Sequence, residues 1–174
     1  AVVCEMGNID LLIWARDLGC TINASACAAA ARGGHLEVLK WLRERGVPWD
    51  KQVNYNAALR GHLALLEWAR SRKSPLPAPE RGWGKKEGFN PLCAAARGGH
   101  IEVLEWLREQ RCPWSDRACV EAVKQGDLQL LKWLREKGYP LSGEVFAKAA
   151  GYGDIEILEW LRENGCSWNG RVFW

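Results

Sequence analysis

Six tryptophans recur at 14, 41, 68, 106, 133 and 160, at intervals of 27, 27, 38, 27 and 27 residues. A glycine stands seven residues before each: Gly7, Gly34, Gly61, Gly99, Gly126 and Gly153. A fixed period of this size marks a chain built by stacking one supersecondary unit, because a single unit cannot bury its own apolar face. Six units of 27 residues and an 11-residue excess at the third interval account for the chain.

Aligned on their glycines, the units read GHLEVLKWLRERGVPWD, GHIEVLEWLREQRCPWS, GDLQLLKWLREKGYPLS and GDIEILEWLRENGCSWN. Apolar residues fall at offsets 2, 4, 5, 7 and 8 from the glycine, which is the spacing of an amphipathic helix with a wide apolar face. Gly46, Gly138 and Gly165 supply a left-handed stop, and Pro48, Pro113 and Pro140 prevent continuation. Ahead of each turn glycine lies a shorter, Ala-rich segment, as in SACAAAARG and PLCAAARGG. Asn23, Asp50, Ser115 or Ser142 precedes it as a candidate N-cap. The expected unit is helix–turn–helix–loop. Repeats span about 1–23, 24–50, 51–77, 89–115, 116–142 and 143–169, with an insertion at 78–88. Residues 170–174 read as the start of a seventh repeat. The chain ends on Val172, Phe173 and Trp174, although solenoid ends need polar caps. A fragment of a longer array is therefore expected.

The composition agrees with a packed core. Hydrophobic residues make up 48% and charged residues 26%, which excludes wholesale disorder. The longest apolar run, 26–31, is too short to cross a bilayer. Seven cysteines, an odd number, with no signal peptide in view point to unpaired thiols in a reducing, intracellular (cytoplasmic or nuclear) compartment. A net charge of +3 neither demands nor forbids a nucleic-acid partner.

The segment NPLCAAARGGHIEVLEWLREQRCPW (90–114) resembles the ankyrin repeat pattern T-P-L-H-x-A-A-x-x-G-H-x-x-x-V-x-x-L-L, and the likeness recurs in all six units. The period is six residues shorter than the family's 33, and the deficit falls in the inter-repeat finger. A Trp replaces a buried helix Leu, and P-W-D or P-W-S stands for D-V-N. Of T-P-L-H, only Pro91 and Leu92 persist. This short, Trp-rich form is similar to ankyrin arrays of protists, algae and large DNA viruses. The resemblance implies an all-α, ankyrin-type helix-turn-helix solenoid with shortened fingers and six repeats. It further implies a non-catalytic scaffold that holds a protein partner on the short-helix and finger face.

Residue by residue, most candidates read as structure. The long-helix Trp residues share a face with Val and Leu and are expected in the inter-repeat core, as are Trp49, Trp114 and Trp168. Cys20, Cys112 and Cys166 exchange with Val47 and Tyr139, and Cys27 and Cys119 with Leu92 and Phe146, as small buried hydrophobes do. No C-x-x-C pair is present, so no metal and no cofactor are expected. His35, His62 and His100 alternate with Asn8, Asp127 and Asp154 after the turn glycine, which reads as helix-start capping. GWGKKEG lacks the spacing of a phosphate loop, and neither G-x-S-x-G nor H-E-x-x-H occurs, so no enzyme and no small-molecule substrate are expected. Arg16, Arg43, Arg70, Arg108, Arg135 and Arg162 form a ladder at the edge of the apolar face, where long stems cover neighbouring side chains.

The binding surface is expected elsewhere. In the ankyrin family the two positions before the turn glycine vary and bind. Here they hold Arg32, Arg60, Arg97, Lys124 and Tyr152, giving four consecutive units a basic residue at or beside one place. Such a stripe would draw an acidic partner. The insertion APERGWGKKEG adds Trp83 beside Arg81 and Lys85, a composition suited to an interface hot spot. Two other readings compete with a protein partner: nucleic-acid binding by the stripe, which predicts steep salt dependence, and a Cys-based redox or metal module. No membrane contact is expected.

Overall fold

The computed structural model describes residues 2–72, 90–112 and 115–166. The calls on Trp114, Trp168, Arg81, Trp83, Lys85, the insertion 78–88 and the start of a seventh repeat lie outside these residues. Among the described residues there are twelve α-helices and no strand. They divide between two compact units, 1–113 and 114–174.

Unit 1 holds α1 (Val2–Glu5), α2 (Ile9–Asp17), α3 (Ala24–Gly33), α4 (Leu36–Glu44), α5 (Lys51–Leu59), α6 (Leu63–Ser71), α7 (Pro91–Gly98) and α8 (Ile101–Glu109). The odd-numbered helices pack in a row, α1 on α3, α3 on α5 and α5 on α7, and each carries its even-numbered partner. Unit 2 holds α9 (Arg117–Gln125), α10 (Leu128–Glu136), α11 (Gly143–Tyr152) and α12 (Ile155–Glu163), with α9 on α11 and the same pairing.

Local chemistry sets the helix ends. Asn23, Asp50 and Asn90 accept from the backbone N–H two residues on, and Pro91 fills the first turn of α7, where its missing N–H costs nothing. Ser115 Oγ accepts from the Arg117 N–H at 3.2 Å. Ser142, a candidate cap by sequence, makes no capping bond with its side chain. After the long helices, Gly46, Gly138 and Gly165 adopt the expected positive φ, and Arg111 takes the same conformation in the fourth pair with φ 57°.

Packing follows residue size. Ala28, Ala29, Ala30 and Ala31 are buried where α3 lies between α1 and α5; small side chains let three helix axes approach. The long helices contribute branched residues at matching positions: Val38, Leu39 and Leu42, then Val103, Leu104 and Leu107, then Leu130, Leu131 and Leu134. Each buried Leu contributes about 1.5–3 kcal/mol of apolar transfer. Asn56, also buried, donates from Nδ2 to the Ala28 carbonyl at 3.0 Å and ties α5 to α3.

The tryptophans depart from the expected core role. Trp41, Trp68, Trp106, Trp133 and Trp160 are half-buried, Trp49 likewise, and Trp14 is 61% exposed. The physical reason is their offset. Leucines at offsets 5 and 8 occupy the centre of the apolar face, and an indole at offset 7 lies along its edge, keeping a polar N–H within reach of water. Cys20 departs in the same direction: it is exposed.

Candidate functional site

The predicted contact residues stand where the first helix of each pair ends. Arg32 lies in the last turn of α3, Arg60 caps α5, Arg97 lies in the last turn of α7, and in unit 2 Lys124 and Tyr152 close α9 and α11. All five are exposed, Tyr152 by 56%. Their heads are not equivalent. Arg32 faces Glu5 at 3.7 Å, and Lys124 meets Glu121 at 2.8 Å. Arg97 donates to the Tyr55 hydroxyl at 3.1 Å. Arg60 makes no ion pair with a described residue.

The turn that follows these residues is built in two ways. Asn8, Asp127 and Asp154 accept from the N–H of Leu11, Leu130 and Ile157, as N-caps do. The three histidines make no such bond. Instead Nε2 of His35, His62 and His100 donates to the carbonyls of Glu5, Arg32 and Leu59 in the preceding helix pair, at 2.8, 3.2 and 3.1 Å. The capping expectation therefore holds for Asn and Asp and fails for His. The imidazole is long enough to leave its own helix and satisfy an orphan carbonyl at the end of its neighbour. A sequence signal exists in Gly33-Gly34-His35 and Gly98-Gly99-His100. A β-carbon at Gly33 or Gly98 would lie 2.4 Å from the carbonyl that the histidine reaches.

The Arg ladder meets the tryptophans. Arg16 lies 5.9 Å from the Trp41 ring of the next pair, and Arg45 covers that ring at 3.8 Å. Arg43 lies 4.6 Å over Trp49 and donates to the Val47 carbonyl, and Trp49 meets Trp68 edge-on at 5.6 Å. The contact of Arg16 with Trp41 was not legible in the sequence, because those two residues are one unit apart. Of the neighbouring acids, Asp17 pairs with Arg16 at 2.9 Å.

Cys4, Cys27, Cys112, Cys119 and Cys166 are buried and Cys93 is half-buried. Burial pushes Cys27 and Cys112 up to about 11 and Cys119 to about 12, so these thiols stay protonated and unreactive at neutral pH. Among the described residues no three His, Cys, Asp or Glu side chains gather as metal ligands. No helix there is long and apolar enough to cross a membrane.

Within each unit, helix pairs stacked through their first helices are the arrangement of a helical repeat solenoid. Contrary to the expectation, the Ala-rich first helices, of 8–10 residues, are not consistently shorter than the second ones, of 9. The ankyrin repeat model for multiple copies matches residues 26–70, and the single ankyrin repeat model matches 87–119. The crystal structure of the human ASB11 ankyrin repeat domain superposes with a TM-score of 0.68 at 18% identity, over 95% of this chain and 82% of that one. No curated protein matches in sequence. The chain thus carries ankyrin repeats on the fold of an ankyrin repeat solenoid, and ankyrin repeats are in general protein-interaction modules, typically non-catalytic.

Proposed function

We propose that the chain is a non-catalytic scaffold that binds another protein, acidic where it touches, on the ends of the first helices of its pairs. The observation that supports this reading is the recurrence of an exposed basic residue before the turn glycine, at Arg32, Arg60, Arg97 and Lys124. Tyr152 offers an exposed aromatic ring at the corresponding place in the last pair. Backbones held by caps and inter-pair bonds present these side chains from a stiff base, which lowers the entropy cost of association. Arg81, Trp83 and Lys85 of the insertion are proposed to add an edge contact.

The test is a pull-down with three baits: the native chain, a variant with Glu at 32, 60, 97 and 124, and a variant lacking 78–88. A protein captured by the native chain and lost by the charge-reversed one supports the reading. Identical capture by all three baits overturns the assignment of this face. Capture of nucleic acid in place of protein, collapsing as salt rises, supports the competing reading.

A further inference from the structure

One side chain of the next helix pair brackets Arg60. Nε2 of His100 donates to the carbonyl of Leu59, the residue before it, at 3.1 Å. The same ring lies against Gly61, the residue after it. The Leu59 carbonyl and the Arg60 N–H belong to one rigid peptide plane. That N–H donates to the Asn56 carbonyl at 3.2 Å, so the plane is held at both ends. His62 acts likewise on Arg32: Nε2 donates to the Arg32 carbonyl at 3.2 Å, and the ring lies against Gly34. Both carbonyls lie in the last turn of a helix, where the helix supplies no donor of its own and the backbone opens most readily. Unit 2 is built differently. Asp154 stands one pair after Lys124, as His62 stands after Arg32, but a carboxylate has no N–H to give a carbonyl. Asp154 accepts from the Ile157 N–H at 3.1 Å instead.

We propose that His100 and His62 are positioning residues of the partner-binding face: they fix the backbone from which Arg60 and Arg32 project toward an acidic partner. This inference rests on the scaffold reading above. It assigns the bracketing histidines a part in affinity that acts through the two arginines. A side chain whose base is fixed before association loses less freedom on binding. The effect is concentrated on His100 and Arg60, because Arg32 already faces Glu5 at 3.7 Å.

The experiment titrates the full chain into a fluorescein-labelled peptide of alternating Glu and Ser, followed by fluorescence anisotropy. The temperature is one at which circular dichroism shows every variant folded. Arg60→Gln should weaken binding about tenfold, and His100→Ala about fivefold. In the Arg60→Gln background His100→Ala should cause no further loss, since its effect passes through Arg60. His100→Gln keeps an N–H at the same reach and should recover most of the affinity. Asp154→Ala removes a cap and lowers stability, yet should leave the affinity within about twofold, which separates positioning from general softening. Equal losses of affinity from Asp154→Ala and His100→Ala overturn the proposal. So does a full effect of His100→Ala where Arg60 is already replaced. Native affinity in His100→Ala, with binding still lost in Arg60→Gln, overturns the positioning role and leaves the scaffold reading standing. Binding that is absent, or indifferent to both Arg60→Gln and Arg32→Gln, overturns the acidic-partner face and the positioning role with it.

Discussion

The ring of His100 stands over Gly61: a β-carbon at Gly61 would lie 2.6 Å from His100 Nδ1. The same relationship joins His62 to Gly34 and His35 to Gly7, at 2.6 and 2.4 Å. Gly7, Gly34 and Gly61 are thus each required twice, by a positive φ and by the histidine of the next pair. Gly153 also has a positive φ, of 72°, but no described residue lies within 4 Å of its would-be β-carbon. Gly153→Ala should therefore cost only the backbone term, about 1 kcal/mol. Gly61→Ala should cost about 2–4 kcal/mol, since the clash adds to it. Urea unfolding measures both. Equal costs would show that the ring moves aside freely.

The Asp and Asn turns respond to a different change. Asp127 accepts from the Leu130 N–H at 2.8 Å. Asp127→Ala should destabilise by about 1 kcal/mol, and Asp127→Asn should retain most of the stability. His62→Ala leaves the N–H groups of its own helix unaffected and exposes the Arg32 carbonyl to water instead. Circular dichroism melts of the three variants separate a cap from an inter-pair bond.

Helix existence, the turn positions and the glycine stops were legible in the sequence because each is a local, periodic signal. The branched residues of the buried face were legible for the same reason. What was not legible lies between units. His35 and Asp127 occupy one repeat position, and only a neighbour's carbonyl tells their roles apart. Trp41 reads as core by periodicity, yet its offset sets it at the edge of the face, where Arg16 of the preceding unit reaches its ring. The basic stripe was visible as composition. That Glu5 compensates Arg32 depends on which helices pack together.

The guanidinium stacking predicts that charge alone does not replace Arg43. Arg43→Lys keeps the cation but loses the flat group over Trp49 and the guanidinium N–H that donates to the Val47 carbonyl. A loss of about 1 kcal/mol is expected in thermal or urea unfolding. An unchanged stability would mean that the stem supplies all of the cover.

The buried thiols give the protein a one-sided pH dependence. Cys27, Cys112 and Cys119 are raised from 9.0 to about 11, 11 and 12 by burial. A raised folded-state value means that the unfolded chain loses these protons first. The associated stability is fully present below pH 9 and is lost progressively as pH rises through 11–12. At neutral pH a thiol reagent should label Cys20 fastest, as the exposed cysteine, and reach the buried ones only on unfolding. Rapid native-state labelling of Cys119 would contradict its burial.

Arg111 offers the clearest route to a more stable chain. It occupies the position filled by Gly46, Gly138 and Gly165, and it holds φ at 57° with a β-carbon present. Left-handed backbone costs a non-glycine residue about 1–2 kcal/mol. Its side chain is exposed, so little packing is lost on removing it. Arg111→Gly should stabilise the protein by about 1 kcal/mol once glycine's greater unfolded-state entropy is subtracted. Arg111→Ala removes the same guanidinium but keeps the β-carbon, and should gain nothing. The pair of variants, compared by urea unfolding, isolates the backbone term: a gain from alanine as well would assign the effect to the lost charge.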